Sequence, residues 1–262
     1  MQPFLNFFGL EIPSYGVCVA LGFVFALAFS LFFCARRKLS LKNALTIIVC
    51  AAIFGIIGAK LLSVTGLFSP REILNLMFRE PMTLISQSGF VFYGGLIFGA
   101  LAAVVSARIL KVTAADLSEY ESIFITALPA AHALGRIGCF LAGCCYGIEA
   151  EPPLGIAFEN PVGGAPQGIP LLPIQLFEAS YNLVLFCVLL IMLVKRRSQR
   201  FNLPVYLIGY GAERFFAEMF RGDEVRGFFG GLSTSGWISA AAFIFGICLF
   251  IKRFRGREHS KM

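Results

Sequence analysis

The residues of this chain that could do chemistry are concentrated in one short stretch, HALGRIGCFLAGCCYG, at residues 132–147. It carries a histidine, an arginine and three cysteines within fourteen residues, although the sequence around it is apolar. These residue types could form a metal site, a redox pair or a binding site for a phosphate group. The choice depends on their spacing and on the elements that position them.

The cysteine spacing does not follow the usual pattern of a zinc site. Zinc ligands commonly come in pairs two to four residues apart, whereas Cys139 is followed by Cys144 and Cys145, with His132 seven residues before. A redox pair needs a resolving partner, and an adjacent Cys144–Cys145 bridge would be strained. Helical geometry allows a disulfide between Cys139 and Cys144. The sequence favours small side chains filling a tight turn, and we expect no metal and no cofactor.

The composition is that of a membrane protein. Of 262 residues, 58% are hydrophobic and only 14% are charged, with a mean hydropathy of +0.80, whereas soluble domains carry about 25% charged residues. A membrane span needs roughly 20 apolar residues. We predict an all-α polytopic protein, a single domain over residues 1–262, with external segments at about 67–87 and 146–171. The seven predicted spans are 14–34, 43–66, 88–107, 122–144, 172–194, 203–220 and 234–251.

The basic residues predict the orientation of these spans. Fifteen Lys and Arg lie in the loops after spans one, three and five and in the C-terminal tail, whereas the opposite set of loops holds only three: Arg71, Arg79 and Arg226. Cytoplasmic loops carry such an excess, so the N-terminus is expected outside and the C-terminus in the cytoplasm. The net charge of +7 therefore faces lipid headgroups and needs no nucleic-acid partner.

The external segments have compositions of their own. Residues 1–14 lack a basic signal-peptide region, and their Leu and Phe residues predict a surface helix. Residues 67–87 predict another short surface helix. Residues 146–171 are rich in Pro and Gly, which excludes a long helix and suits a cap over an entrance.

Seven ionisable residues lie inside the predicted spans and an eighth directly follows the sixth span; each charge costs about 2.5–3.5 kcal/mol at the membrane centre. Helical spacing places Tyr210, Arg214, Glu218 and Arg221 on one face, and we predict that Glu218 is shared by the two arginines. In one interpretation such charges only pair with one another and join helices. In the other, excess positive charge binds a lipid phosphate. The eight are Lys60, His132, Arg136, Glu178, Glu213, Arg214, Glu218 and Arg221.

Two of these arginines suit a phosphodiester. Arginine binds phosphate through a bidentate fork and remains charged when buried. Arg136 and Arg214 lie on different predicted helices, so together they could clamp one phosphodiester and stabilise the negative charge that develops on it as a leaving group.

Six segments resemble, in order, motifs of the prolipoprotein diacylglyceryl transferase family. GRIGCFLAGCCYG is similar to the signature GRxGNFxNGExxG, and ERFFAEMFRGD is similar to RFxxEFxRxPD. The other four segments are IPSYGV, GAKL, FYGGLIFG and PIQLFEA. The resemblance implies an enzyme of the bacterial cytoplasmic membrane that moves the diacylglyceryl group of phosphatidylglycerol to the lipobox cysteine of a preprolipoprotein. The products are a thioether and glycerol phosphate.

The resemblance also implies residue roles. Arg136 and Arg214 would hold the phosphodiester, Glu218 would orient Arg214, and Tyr15 and Gln175 would line the lipid site. Further substrate-binding candidates at matched or neighbouring positions are Lys60, Gly94, Gly95, Gly135, Gly138, Cys139, Gly147, Glu178 and Arg221.

Three matched positions depart from the family pattern. Tyr93 stands where the family has the histidine often proposed as the base, Cys139 replaces an asparagine, and Cys144 replaces a glutamate. A tyrosine keeps its proton at neutral pH and is a poor base. We therefore propose His132 as the proton acceptor, with a hydrogen bond to a neighbouring helix as the equal alternative. These departures leave open a paralogue with another acceptor or anionic lipid. A non-enzymatic lipid-binding or transport protein is the third hypothesis.

Overall fold

In the computed structural model, helices dominate the part of the chain that the structure describes, namely residues 2–7, 9–80, 82, 91–196, 199–222, 228–229 and 232–259. The helices are α1 Ser14–Arg36, α2 Leu41–Leu67, α3 Pro70–Arg79, α4 Phe92–Ile109, α5 Ala114–Ala142, α6 Ile174–Val194, α7 Asn202–Met219 and α8 Thr234–His259. A 3-10 turn, Gln199–Phe201, precedes α7. The strands form two-stranded antiparallel pairs: β1 Phe4–Phe7 with β2 Leu10–Pro13, β3 Ile156–Ala157 with β4 Pro170–Leu171, and β5 Phe228–Phe229 with β6 Leu232–Ser233.

Among the described residues, five helices are long and apolar enough to cross a membrane: α1, α2, α5, α6 and α8. Two further predicted spans coincide with α4, a shorter apolar helix, and with α7, which carries three charged residues. The prediction of a helical membrane protein is confirmed. The predicted span 122–144 falls within a longer helix, since α5 already begins at Ala114, and residues 88–90 of the third predicted span lie outside the described part of the chain.

The helices expose large apolar side chains, as lipid-facing helices do. Ile56, Leu101, Val184 and Ile244 are each more than half exposed, and all four belong to predicted spans. Because lipid is as apolar as these side chains, helix association depends on close packing and polar contacts instead. The polar contacts are therefore the part of the fold that needs individual explanation.

The chain divides into two compact units, residues 1–30 with 118–262 and residues 31–117. The single domain predicted from the sequence stays a prediction. In the second unit, α2 packs on α4 through glycines: a Cβ added at Gly94 would lie 2.3 Å from the carbonyl oxygen of Gly58, and one at Gly95 would lie 3.3 Å from that of Gly55. The two backbones approach too closely for larger side chains.

The first unit holds α5, α6 and α7 together with most of α1 and with α8. A Cβ at Gly22 of α1 would lie 2.8 Å from the carbonyl oxygen of Ala131 in α5, and one at Gly211 of α7 would lie 2.8 Å from that of Ser239 in α8. Asn202 donates hydrogen bonds to Thr126 Oγ1 at 2.8 Å and to the Leu189 carbonyl at 3.2 Å, so one amide joins three helices.

The prediction of a surface helix at residues 1–14 is wrong. Phe4–Phe7 and Leu10–Pro13 form an antiparallel hairpin, in which Phe4 pairs with Pro13 and Phe7 with Leu10. The turn passes through Gly9 at φ +85, a conformation that glycine adopts readily and that ends any helix. The main-chain amide of Ser14, the first residue of α1, donates to the carbonyl of Pro3 at 2.9 Å, so the hairpin folds back on the start of this helix.

The short helix predicted within residues 67–87 is present as α3, and residues 81 and 83–87 of that segment lie outside the described part of the chain. That residues 67–87 and 146–171 lie outside the membrane stays a prediction. Helix α3 starts with a capping box, in which Ser69 and Glu72 bond each other's main-chain amides. The amide and hydroxyl of Ser69 both donate to the Glu72 carboxylate, and these hydrogen bonds lower the pKa of Glu72. Residues 146–171 contain β3 and β4 and no long helix, and Phe158, Ala165 and Leu171 form their buried apolar cluster.

Candidate active site

A buried carboxylate joined to two arginines lies at the centre of the first unit. Glu178 Oε2 lies 2.6 Å from Arg136 Nε, an ion pair that is not an aligned hydrogen bond. Glu178 Oε1 accepts hydrogen bonds from Arg136 Nη2 at 3.1 Å and from Arg214 Nη1 at 3.0 Å. The three residues are 2–8% exposed. We call Arg136, Glu178 and Arg214 the ion triad.

Three helices bring the ion triad together. Arg136 lies near the end of α5, Glu178 in the second turn of α6, and Arg214 in the second half of α7. Such a charge is tolerated within apolar helices only when it is paired. Arg214 Nη2 also contacts Glu218 Oε2 at 2.7 Å, one turn further along α7. Two carboxylates therefore orient the two guanidinium groups.

Two arginines share a carboxylate in the structure, and it is Glu178 from another helix. That Glu218 is shared by Arg214 and Arg221 stays a prediction. The common helical face needs one correction, because α7 ends at Met219, so Arg221 lies beyond the helix and pairs through its main chain with Gly147. Spacing on one helix could not show a partner supplied by another.

Main-chain hydrogen bonds fix the segment that follows α5. The amide of Gly147 donates to the Leu172 carbonyl at 3.0 Å, and the amide of Ile148 donates to the Phe220 carbonyl at 2.9 Å. A Cβ at Gly147 would lie 2.6 Å from the Leu172 oxygen and 2.9 Å from the Phe220 oxygen. Only glycine fits between these chains, which lead into α6 and out of α7, so Gly147 sets how those helices meet.

Four further predicted residues lie at or near the end of α5. A Cβ at Gly138 would lie 2.9 Å from Cys18 Cβ and 3.2 Å from Tyr15 Cα, so this glycine lets α1 approach α5 and brings Tyr15 beside the site. Gln175 is fully buried and donates from Nε2 to the Cys144 carbonyl at 2.8 Å. At Gly135 an added Cβ would meet nothing within 4 Å.

The three cysteines of the opening stretch meet in space. The sulfur atoms of Cys139, Cys144 and Cys145 all lie within 4.8 Å of one another, and all three residues are free thiols. Contacts with the thiols of Cys139 and Cys144, and then the charges of Arg221 and Arg136, lower the pKa of the Cys145 thiol. The sequence spacing did not predict this meeting.

His132 lies one turn before Arg136 on α5. Its ring centroid is 5.5 Å from that of Tyr210 on α7, and the side chain of Asn182 on α6 lies within hydrogen-bonding reach. Both contacts tie His132 to neighbouring helices. These contacts agree with the alternative in which His132 only bonds to a neighbouring helix. Its role as proton acceptor stays a proposal.

Lys60, Tyr93, Gly94 and Gly95 belong to the second unit. The amide of Val91, just before α4, donates to the Ala59 carbonyl at 3.0 Å, which places Tyr93 and Lys60 at the same end of the α2–α4 pair. Close helix packing accounts for Gly94 and Gly95. That all four residues line a substrate site stays a prediction.

Comparison with known proteins agrees with this geometry. The family model described as prolipoprotein diacylglyceryl transferase matches residues 3–252. The chain belongs to this family. A phosphatidylglycerol–prolipoprotein diacylglyceryl transferase 2 from Clostridium perfringens is 35% identical over 97% of this chain and 96% of its own length. Phosphatidylglycerol–prolipoprotein diacylglyceryl transferases from Clostridium tetani and Finegoldia magna are 34% and 28% identical, over 97% and 94% of this chain and 99% and 93% of their own lengths. The resemblance inferred from the motifs is confirmed.

The family's central motifs therefore meet in the ion triad. GRIGCFLAGCCYG supplies Arg136, PIQLFEA supplies Glu178, and ERFFAEMFRGD supplies Arg214 and Glu218. Sequence reasoning missed Asn182, which is fully buried and donates to the Glu178 carbonyl at 2.8 Å. Its place four residues after Glu178, on the same helical face, was the available signal.

The arrangement can bind and stabilise an anion. Each guanidinium has five N–H donors, and the contacts above engage two nitrogen atoms of each arginine. Further N–H groups of both arginines can therefore hold phosphate oxygens in a site of low exposure, where such hydrogen bonds are strong.

Proposed function

We propose that this protein transfers the diacylglyceryl group of phosphatidylglycerol to the cysteine thiol of a prolipoprotein. The observation that carries the proposal is the ion triad: two buried arginines, oriented by Glu178, are contributed by the motifs of a transferase family. An anionic phosphodiester is the substrate group that such a pair of guanidinium ions recognises. The acceptor is a preprolipoprotein signal peptide with a lipobox cysteine.

The reaction forms one bond and breaks one bond. The thiol sulfur attacks the glyceryl carbon next to the phosphate, a C–S bond forms, and the C–O bond to the phosphate breaks with its electron pair on the leaving oxygen. Arg136 and Arg214 stabilise the negative charge on that oxygen. Glu178 and Glu218 keep both guanidinium groups in place, and glycerol phosphate leaves.

The thiol must also lose its proton. His132, one turn from Arg136, is the proposed acceptor, since Tyr93, the second residue of α4, replaces the family's histidine. Tyr15, Gln175 and Gly138 line the lipid site beside the end of α5.

In this proposal the chain crosses the bacterial cytoplasmic membrane seven times. The short helices α4 and α7 supply the two spans beyond the five long ones. The excess of basic residues after spans one, three and five places the N-terminus outside and the C-terminus in the cytoplasm. A green fluorescent protein fused to the C-terminus is expected to fluoresce, and an alkaline phosphatase fusion at the same position is expected to be inactive. The opposite pair of results would reverse the orientation.

The proposal is tested with purified protein in phosphatidylglycerol liposomes and a lipobox peptide. Mass spectrometry is expected to find the diacylglyceryl mass on the peptide cysteine. Arg136→Ala is expected to reduce the rate by about 10²–10³-fold, as loss of a transition-state donor does. A matched control is Arg253→Ala, because Arg253 also forms a two-point pair with a glutamate, Glu121, but in a partly exposed position.

Two results would contradict the proposal. No thioether from folded protein that binds phosphatidylglycerol would favour a paralogue with another acceptor or lipid, an alternative supported by the cysteines at two motif positions. Equal losses in Arg136→Ala and Arg253→Ala would show that the ion triad has no special part in the reaction.

A further inference from the structure

Three soft donor atoms lie close to the spacing that a metal ion requires. Tetrahedral zinc, with Zn–S distances of about 2.3 Å, places its sulfur ligands roughly 3.8 Å apart. The sulfur atoms of Cys139, Cys144 and Cys145 are within 4.8 Å of one another, so movements of about 1 Å or less, within reach of side-chain rotation, would close the set around one ion. Thiolate donors select zinc and other thiophilic ions over magnesium or calcium.

The backbone holds these sulfurs together. Gly143 at φ +70 and Cys145 at φ +58 turn the chain back on the last turn of α5, and cysteine adopts such a positive φ only when its surroundings impose it. Gln175 holds the Cys144 carbonyl, and a Cβ at Gly163 would lie 2.5 Å from Cys144 Cβ. Contacts from two other segments therefore support the cluster.

The charges near the cluster suit a zinc–thiolate complex. Three thiolates and one Zn²⁺ carry a net charge of −1. The positive charge of Arg136 acts on Cys139 and Cys145, and that of Arg221 acts on Cys145. Cys139 follows Arg136 by three residues on α5 and so lies on the same helical face. Cys144 and Cys145 are partly exposed, which leaves a path for an ion and a fourth ligand.

We propose that Cys139, Cys144 and Cys145 bind one zinc ion whose fourth position takes the thiol of the acceptor substrate. This inference rests on the proposed function, because it assigns a binding site to the sulfur that becomes the thioether. Catalytic zinc sites keep such an open position, and a thiol that coordinates zinc is deprotonated.

In the zinc-assisted step, the acceptor S–H bond breaks as the S–Zn bond forms. The proton passes through water to His132, about 10 Å further along the axis of α5. The zinc-bound thiolate then attacks the glyceryl carbon and leaves the metal as a thioether, while the C–O electron pair goes to the phosphate oxygen held by Arg136. The ion is neither oxidised nor reduced.

The first test measures metal content. Protein purified with a reductant and without chelators is expected to contain about one zinc per chain, bound by the three-sulfur set. Cys139→Ser, Cys144→Ser and Cys145→Ser are each expected to lower this content at least tenfold, whereas Cys187→Ser and Cys248→Ser, at exposed positions on α6 and α8, leave it unchanged. No zinc, copper in its place, or a mass two daltons low from a disulfide would each overturn the proposal.

The second test counts the sulfur ligands by X-ray absorption spectroscopy. Without lipid, the zinc is expected to show three sulfurs at about 2.3 Å, and a fourth after addition of the lipobox peptide. The same peptide with serine in place of cysteine should add none. A count that stays at three with the cysteine peptide would show that the substrate thiol does not bind the metal.

Neither measurement needs turnover, so the two proposals fail separately. If zinc-free protein with all three thiols reduced forms the thioether, the proposed function is supported and the proposed zinc site is refuted. If the zinc gains the peptide sulfur but the protein makes no thioether, the zinc site is supported and the proposed function is refuted.

Discussion

Replacing Glu178 with glutamine removes the only charge that joins Arg136 to Arg214 in the contacts described above. The carboxylate makes three contacts with them, at 2.6, 3.0 and 3.1 Å, while about 2% exposed. Glutamine keeps the shape, while Arg214 keeps its contact with Glu218. Removing one partner of a buried ion pair costs about 3–5 kcal/mol. At about 2–4 °C per kcal/mol for a chain of this size, Glu178→Gln is expected to lower the Tm by roughly 6–20 °C.

The assay is thermal unfolding of detergent-solubilised protein, followed by circular dichroism, with and without phosphatidylglycerol. Because the phosphodiester replaces the missing negative charge, the lipid is expected to raise the Tm of Glu178→Gln more than that of the unmodified protein. Turnover is expected to fall at the same time, since the guanidinium groups lose their orientation.

Two matched variants make the result specific. Glu218→Gln removes a carboxylate that contacts Arg214 and is more exposed than Glu178, so we expect a smaller loss. Glu121→Gln breaks a partly exposed pair with Arg253, and such pairs are worth about 0–1 kcal/mol. If Glu178→Gln lowers the Tm no more than Glu121→Gln, the reasoning about the ion triad is refuted.

Three further predictions concern helix packing within each unit and the proposed proton acceptor. Gly138→Ala overpacks the α1–α5 contact and is expected to cost about 1–3 kcal/mol, whereas Gly135→Ala, where a Cβ meets nothing, is neutral or stabilising; equal thermal stabilities would contradict this. Gly94→Ala drives a methyl group into the α2 backbone and should lower the Tm by several degrees, and Gly66→Ala, with open space, is its control. His132→Ala is expected to abolish thioether formation in protein whose circular dichroism still shows the native helices, with a lower Tm because the contacts with Tyr210 and Asn182 are lost; unaltered turnover would show that His132 is not the proton acceptor.

The sequence identified the helices because apolar runs of span length need no tertiary information. The same logic identified Arg136 and Arg214, since charges within such runs are exceptional. The pairing was harder to predict: Glu178 joins the arginines only through the rotation and register of three separate helices. Main-chain bonds at Gly147 help to set that register, and no local pattern reports them.

Two features trace to single backbone conformations. Gly9 at φ +85 turns residues 4–13 into a hairpin, where the composition had predicted a helix. Cys145 at φ +58 helps to turn the chain after α5, which agrees with the tight turn predicted for these cysteines, and three sulfurs meet at this turn. Contacts distant in sequence hold the neighbouring Cys144, since Gln175 donates to its carbonyl and Gly163 packs against its Cβ.

The distribution of the ion triad over α5, α6 and α7 has a consequence for biogenesis. Glu178 is synthesised 42 residues after Arg136, so α5 leaves the ribosome with a guanidinium that has no counter-ion yet. An isolated arginine at the centre of the membrane costs about 2.5–3.5 kcal/mol on insertion scales. We therefore expect the translocon to retain α5 until α6 emerges and to release the two helices as a pair, and Glu178→Gln to prolong that retention.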